Sequence, residues 1–120
     1  MAKIMIIEDN ALNMQLFSDV LSASGYEIVS TMEVLKAIDI AKDNMPDLII
    51  TDIQMPAMSG LELIKIIRAD DKLKDIPVIA ATAFAMKGDE DKIMQAGFNG
   101  YIAKPISIKP FLETVASFIQ

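Results

Sequence analysis

Among the 120 residues there is no cysteine, no histidine and no tryptophan. Without cysteine there is no disulfide framework, no thiol nucleophile and no thiolate metal site. Without histidine there is no catalytic imidazole, which excludes a Ser-His-Asp triad and a His-ligated zinc. Nor can the chain carry a phosphohistidine of its own. Any chemistry is left to carboxylates, lysines, hydroxyls and a borrowed cation, best an oxygen-preferring one such as Mg²⁺.

Other shortages narrow the function further. Basic residues number 11 against 17 acidic ones, a formal charge of −6. That balance disfavours nucleic acid, where Lys and Arg must neutralise phosphates. The longest mostly apolar run, Ile76 to Met86, is about half the ~20 residues of a spanning helix, so no membrane insertion is expected. The N-terminus enters a strand directly and reads as no signal peptide, which points to the cytoplasm. No Gly-rich turn follows the first strand, which excludes a nucleotide-binding Rossmann or P-loop domain.

What is present is a core. The chain is 52% hydrophobic and long enough for one domain, so intrinsic disorder is excluded. Met5-Ile6-Ile7 is a short apolar run that stops at Glu8-Asp9. Asn10 can cap a helix, with Leu12, Leu16, Val20 and Leu21 at helical spacing, and Gly25 ends it. Tyr26 to Ser30 reads as a strand. Thr31 can cap a second helix with Leu35, Ile38 and Ala41 inside. Asp47 to Thr51 is a third strand. Ser59 and Glu62 fit a capping box, opening a helix that buries Leu61, Ile64 and Ile67. Ile76 to Ala81 is a fourth strand, followed by a helix around Asp89 to Ala96. Asn99 to Ala103 is a fifth strand. Ser107 caps a last helix, with Pro110 tolerated in its first turn and Phe111 or Leu112, Val115, and Phe118 or Ile119 inside. Five β-α units with near-continuous apolar strands predict an α/β fold, a parallel sheet covered by helices on both faces.

In such sheets ligands bind beyond the carboxyl ends of the strands. Strand one ends in Glu8 and Asp9, strand three in Asp52, strand four in Thr82, and strand five in Lys104-Pro105. Taken singly, each has an ordinary explanation as a turn residue, helix cap or solvated surface group. As a set drawn from four strands they call for a common role. Two carboxylates about 4 Å apart repel by roughly 4 kcal/mol at an effective dielectric near 20. Three of them, with Lys104 alone to offset them, take up a proton or a cation. With Mg²⁺ neutralising the acids, Asp52 can act as a carboxylate nucleophile toward a phosphoryl group. Lys104 and the Thr82 hydroxyl can then serve the transferring oxygens.

The order and spacing of Glu8-Asp9, Asp52 in "DIQMP", Gly60, Thr82 in "ATAFA", Tyr101 and Lys104-Pro105 resemble the receiver domains of two-component response regulators. The resemblance covers essentially the whole chain. Within that family, "EDNALNMQLF", "TAFAMKGDE" and "YIAKPIS" are similar to single-domain regulators of cell division and polarity. The resemblance implies a flavodoxin-like (βα)5 domain over residues 1–120, with strand order 2-1-3-4-5 and no output domain. It implies Asp52 as phosphoacceptor, and Mg²⁺ held by Glu8, Asp9, Asp52 and the backbone carbonyl of Gln54. It also implies a cis Lys104-Pro105 bond, Lys104 on the phosphoryl oxygens, and Thr82 and Tyr101 as switch residues. The fourth helix, fifth strand and fifth helix are then the surface that changes. Glu8 stands where many members carry Asp, which leaves direct or water-mediated ligation open. Gln54 and Phe84 occupy positions that tune hydrolysis of the acyl phosphate.

A donor must bring the phosphohistidine this chain lacks, so a histidine kinase or histidine phosphotransferase is implied, with downstream protein targets for the signal. Asn10, Asn13, Met14, Pro105 and Ile106 mark the expected docking surface. A phosphatase with an Asp nucleophile is the competing enzyme reading. Such enzymes carry a second Asp two residues on as general acid, where Gln54 cannot exchange a proton. A receiver-like adaptor that works without phosphorylation is the third reading, and the full set of acids, Thr82 and Lys104 argues against it.

Overall fold

The computed structural model describes residues 2–83 and 87–119, with the backbone alone at 87–89. Phe84 therefore lies outside the described residues. Five strands, β1 (Lys3–Ile7), β2 (Glu27–Thr31), β3 (Leu48–Asp52), β4 (Val78–Thr82) and β5 (Gly100–Ala103), alternate with helices α1 (Ala11–Ala23), α2 (Ala37–Asn44), α3 (Gly60–Ala69), α4 (Lys87–Ala96) and α5 (Ile108–Phe118). All four pairings are parallel and the order is β2-β1-β3-β4-β5. Strand limits differ from the sequence reading by one or two residues, because ladder pairing rather than local composition decides where a strand stops.

Alternation along the strands splits the core in two. Ile4, Ile6, Leu48, Ile50, Ile79, Ala81 and Ile102 face α1 and α5, against Phe17, Leu21, Phe111 and Val115. Met5, Ile7, Ile49, Val78 and Ala80 face α2, α3 and α4, against Ala37, Ala41, Leu63, Ile64, Ile67 and Ile93. Each fully buried Ile or Leu contributes roughly 1.5–3 kcal/mol through the water it excludes.

Three helix faces differ from those expected. In α1 the buried residues are Met14, Phe17 and Leu21, whereas Leu12 is 82% exposed and Leu16 is also outside. The apolar positions of α1 cover more than one face. Phe17 selects among them by stacking on Phe111, with ring centroids 5.5 Å apart. Thr31 does not cap α2. It ends β2, and its hydroxyl accepts from Glu33 N–H at 3.1 Å. A 3-10 turn over Val34–Lys36 follows, so Val34 goes inside and Leu35 stays 67% exposed. In α3 Leu63 takes the buried place expected for Leu61.

The caps hold the ends as the sequence suggested at two helices. Asn10 Oδ1 accepts from Asn13 N–H at 3.1 Å, and Ser59 Oγ accepts from Glu62 N–H at 3.2 Å. The Glu62 carboxylate returns to the Ser59 hydroxyl at 3.4 Å rather than to its amide. Ser107 is the N-cap of α5 without a side-chain cap bond.

At the amino ends of the strands one side chain ties three segments. Arg68, near the end of α3, donates from Nε to Gly97 O at 2.9 Å, and from Nη1 to Lys74 O and Ile76 O at 2.9 and 2.7 Å. Its Nη2 donates to Asn99 Oδ1 at 2.6 Å, and that oxygen also accepts from Val78 N–H at 2.8 Å. A planar fork of donors meets several carbonyls in fixed directions, which a lysine cannot do.

Candidate functional site at the carboxyl end of the sheet

The register brings the candidate residues together. Ile7 pairs with Thr51, so Glu8, the next residue, lies beside Asp52. Asp52 pairs with Ala81, and Thr82 with Ala103, so Thr82 and Lys104 follow on the other side. Glu8, Asp52 and Lys104 continue the alternation that faces α1 and α5, whereas Thr82 continues the opposite set. Three charged groups thus converge on one side of the strand ends.

Glu8 is 1% exposed. Its Oε1 accepts from Lys104 Nζ at 2.5 Å, and its Oε2 accepts from Asn10 N–H at 3.4 Å. Lys104 Nζ also donates to Asp52 Oδ2 at 2.9 Å. The remaining Asp52 oxygen accepts from Gln54 N–H at 3.3 Å. Lys104 N–H donates to Thr82 O at 2.8 Å, which fixes the backbone from which its ammonium reaches across. The Lys104-Pro105 peptide bond is cis.

Burial pushes the Glu8 carboxyl above its usual value, and the charge of Asp52 adds to the rise, while Lys104 works against it. Lys104 is also raised. Burial acts to lower it, but its hydrogen bonds to Glu8 and Asp52 outweigh that cost. The ammonium therefore stays charged between two carboxylates.

One oxygen each from Glu8, Asp9 and Asp52 lies within 4.8 Å of the others. Three carboxylates against one ammonium leave a formal charge of −2 at a cluster whose donors are all oxygen. Such a set suits a hard divalent cation of the Mg²⁺ type. A cleft of about 120 Å³ opens beside it, lined by Asp52, Gln54, Thr82, Ala83 and Lys104. Larger clefts lie elsewhere, at Met32–Lys36 with Pro56 and Ala57, and between β5 and the start of α5. Neither brings carboxylates together with Lys104, so the small cleft is the chemical one.

The outer candidates divide. Tyr101 is half-buried against the α2–α4 side of the core. A hydrogen bond with Glu90 of α4 raises its hydroxyl's pKa. Asn10 and Pro105 are exposed, and Asn13 and Ile106 half-buried, around the cleft. Met14 is instead a core residue, and Leu12, which the sequence placed on the apolar stripe of the helix rather than on the docking surface, is the exposed apolar group on that turn of α1. The hydrogen bond from Asn10 N–H to Glu8 has no signal in the sequence, since a cap residue gives no sign of what its own amide does.

The chain matches the response regulator receiver domain family over residues 4–116. It is 55% identical over 116 residues to the polar-differentiation response regulator DivK of Brucella anthropi, covering 97% of this chain and 94% of that protein. The DivK of Brucella ovis is 54% identical over the same shares. Among solved structures it resembles the chemotaxis response regulator CheY4 of Vibrio cholerae, with a TM-score of 0.92 and 27% identity over 99% of both chains. It also resembles the receiver domain of the sensor histidine kinase PA1611 from Pseudomonas aeruginosa, with a magnesium ion coordinated in that protein's active-site cleft. The TM-score there is 0.90, with 30% identity over 98% of this chain and 97% of that one.

Proposed function

This chain belongs to the response regulator receiver domain family, and from that membership we propose that Asp52 accepts a phosphoryl group from a phosphohistidine. The donor is a histidine kinase or a histidine phosphotransferase. A carboxylate oxygen of Asp52 attacks phosphorus, the P–O bond forms as the P–N bond breaks, and the leaving imidazole nitrogen keeps the electron pair and takes a proton from water. Glu8, Asp9 and Asp52, with the Gln54 carbonyl, hold Mg²⁺. That ion, when bound, supplies positive charge against the acids and the phosphoryl oxygens.

The chain's own groups do the rest. Lys104 pairs with the phosphoryl oxygens, and the Thr82 hydroxyl hydrogen-bonds to them. The observation that carries this reading is one ammonium 2.9 Å from Asp52 inside a three-carboxylate cluster. Tyr101 and Thr82 then bias the α4-β5-α5 surface between two packings, as a new charge does in phosphorylation switches. The donor docks over Asn10, Leu12, Asn13, Pro105 and Ile106. The domain acts in the cytoplasm, through protein targets, in cell division and polarity. Its likeness to proteins named for polar differentiation supports that role.

The test is incubation with acetyl phosphate, with and without Mg²⁺, followed by mass spectrometry of peptides. An acid-stable, base-labile adduct on Asp52 that needs Mg²⁺ and is lost in Asp52→Asn is expected. An adduct on another residue, or none at all, would sink the reading.

A further inference from the structure

We infer that Gly60 is a positioning residue for the Mg²⁺ site, because the bare backbone at the start of α3 sets where the Asp52–Gln54 segment lies. The inference rests on the reading of Glu8, Asp9 and Asp52 as that site.

A Cβ at Gly60 would lie 2.4 Å from Asp52 O, 2.8 Å from Ile53 Cα and 3.2 Å from Asp52 C. All three are backbone atoms, so no side chain can rotate to make room. Gly60 is itself buried, and its N–H donates to Ile53 O at 2.7 Å. The first turn of α3 thus touches the peptide that immediately follows Asp52. The next residue is Gln54, whose N–H holds Asp52 Oδ1. A side chain at Gly60 must push either α3 or the Asp52–Ile53 peptide. α3 is held by Ser59, which caps it, and by Leu63, Ile64 and Ile67 in the core. The peptide has less behind it, since β3 ends at Asp52 and the loop beyond is half-exposed or exposed. The peptide yields, and the carboxylate and the Gln54 carbonyl move with it.

Gly25 supplies the matched control. Its φ is +95°, and nothing lies within 4 Å of an added Cβ. Alanine there strains the backbone but touches nothing near the carboxylates. Gly60→Ala and Gly25→Ala both lower the melting temperature, and only Gly60→Ala alters the site.

The experiment is titration of the full chain with Mg²⁺ alone, followed by calorimetry or amide NMR, beside thermal melts. Gly60→Ala is expected to weaken Mg²⁺ binding about tenfold, as loss of outer-shell support does at metal sites, and Gly25→Ala to leave it within twofold. Ser59→Ala, which removes the cap without adding an atom, is the second variant and decides the matter where Gly60→Ala does not fold. It should weaken Mg²⁺ binding about threefold as the start of α3 loosens. Wild-type protein and a folded Gly60→Ala binding Mg²⁺ alike would overturn this inference alone, as would an unchanged Ser59→Ala when it is the deciding variant. Wild-type protein that binds no Mg²⁺ would overturn the site reading and this inference together.

Discussion

The ammonium of Lys104 lies 2.9 Å from Oδ2 of Asp52, on the carboxylate proposed to carry the phosphoryl group. Without a divalent ion, Lys104 is the cation that holds Asp52 and Glu8 side by side. Lysine and Mg²⁺ therefore act on the same negative charge. Lys104→Met removes the competitor, and Mg²⁺ affinity should rise at least about tenfold, since one charge within a few Å is worth several kcal/mol in a partly buried site. Titration with Mg²⁺ checks this, and equal or weaker binding in the variant would contradict it.

Glu8 gives the metal-free protein a particular pH dependence. Burial raises its carboxyl above the usual 4.5, so the native state holds this proton more tightly than the unfolded chain does. Its contribution to stability is present below pH 4.5 and is lost as pH rises through the raised pKa. With no histidine in the chain, nothing with an unperturbed pKa near 6.5 overlays this change. Urea unfolding at a series of pH values should show Glu8→Gln with a shallower decline toward neutrality than the wild type. Parallel curves would show that Glu8 titrates as in the unfolded chain.

Arg68 should matter far more than a surface arginine. Removing it strips donors from Gly97 O, Lys74 O, Ile76 O and Asn99 Oδ1 together. Arg68→Ala should cost about 2–4 kcal/mol, since bonds from a charged donor to partly buried acceptors are worth about 1.5–3 each and do not add fully. Arg68→Lys should recover less than half. Chemical denaturation measures both, and a cost under about 0.5 kcal/mol for the alanine variant would refute the tie.

Leu12 and Met14 should separate docking from folding. Leu12→Ala is expected to change stability by no more than about 0.5 kcal/mol and to slow phosphotransfer from a histidine kinase several-fold. Its labelling by acetyl phosphate should stay normal. Met14→Ala, which opens a space beside Phe17 in the core, should cost about 2 kcal/mol or more. Slowed labelling by acetyl phosphate in Leu12→Ala would place its effect in the chemistry instead.

The chemical groups were legible in the sequence because each stands at the end of a mostly apolar strand: Glu8 follows Ile7, Asp52 closes β3 after Thr51, and Lys104 follows Ala103. A buried parallel strand has little freedom in its direction, so its end is a reliable address. Helix faces were less legible. Leu12, Leu16 and Val20 keep helical spacing as well as Met14, Phe17 and Leu21 do, and only contact with Phe111 of α5 decides between them. The start of α2 was misplaced for a related reason. Thr31 is a good cap by residue type, but pairing with Ile7 draws it into β2. Arg68 gave no signal, since three of its four acceptors are backbone carbonyls, which any residue type supplies.

Val78, at the start of β4, has both backbone groups occupied by a single residue. Its N–H donates to Asn99 Oδ1, and its carbonyl accepts from Asn99 N–H, each at 2.8 Å. The start of a strand commonly frays, but this one is closed by a ring that Arg68 completes. The amino end of β4 is therefore held on both sides of Val78. Deuterium should enter Val78 and Asn99 amides late, at rates set by opening of the whole domain. The amide of Gln54, held only by a carboxylate oxygen at 3.3 Å in an exposed loop, should exchange early, leaving the loop beyond Asp52 as the part beside the charges that can rearrange.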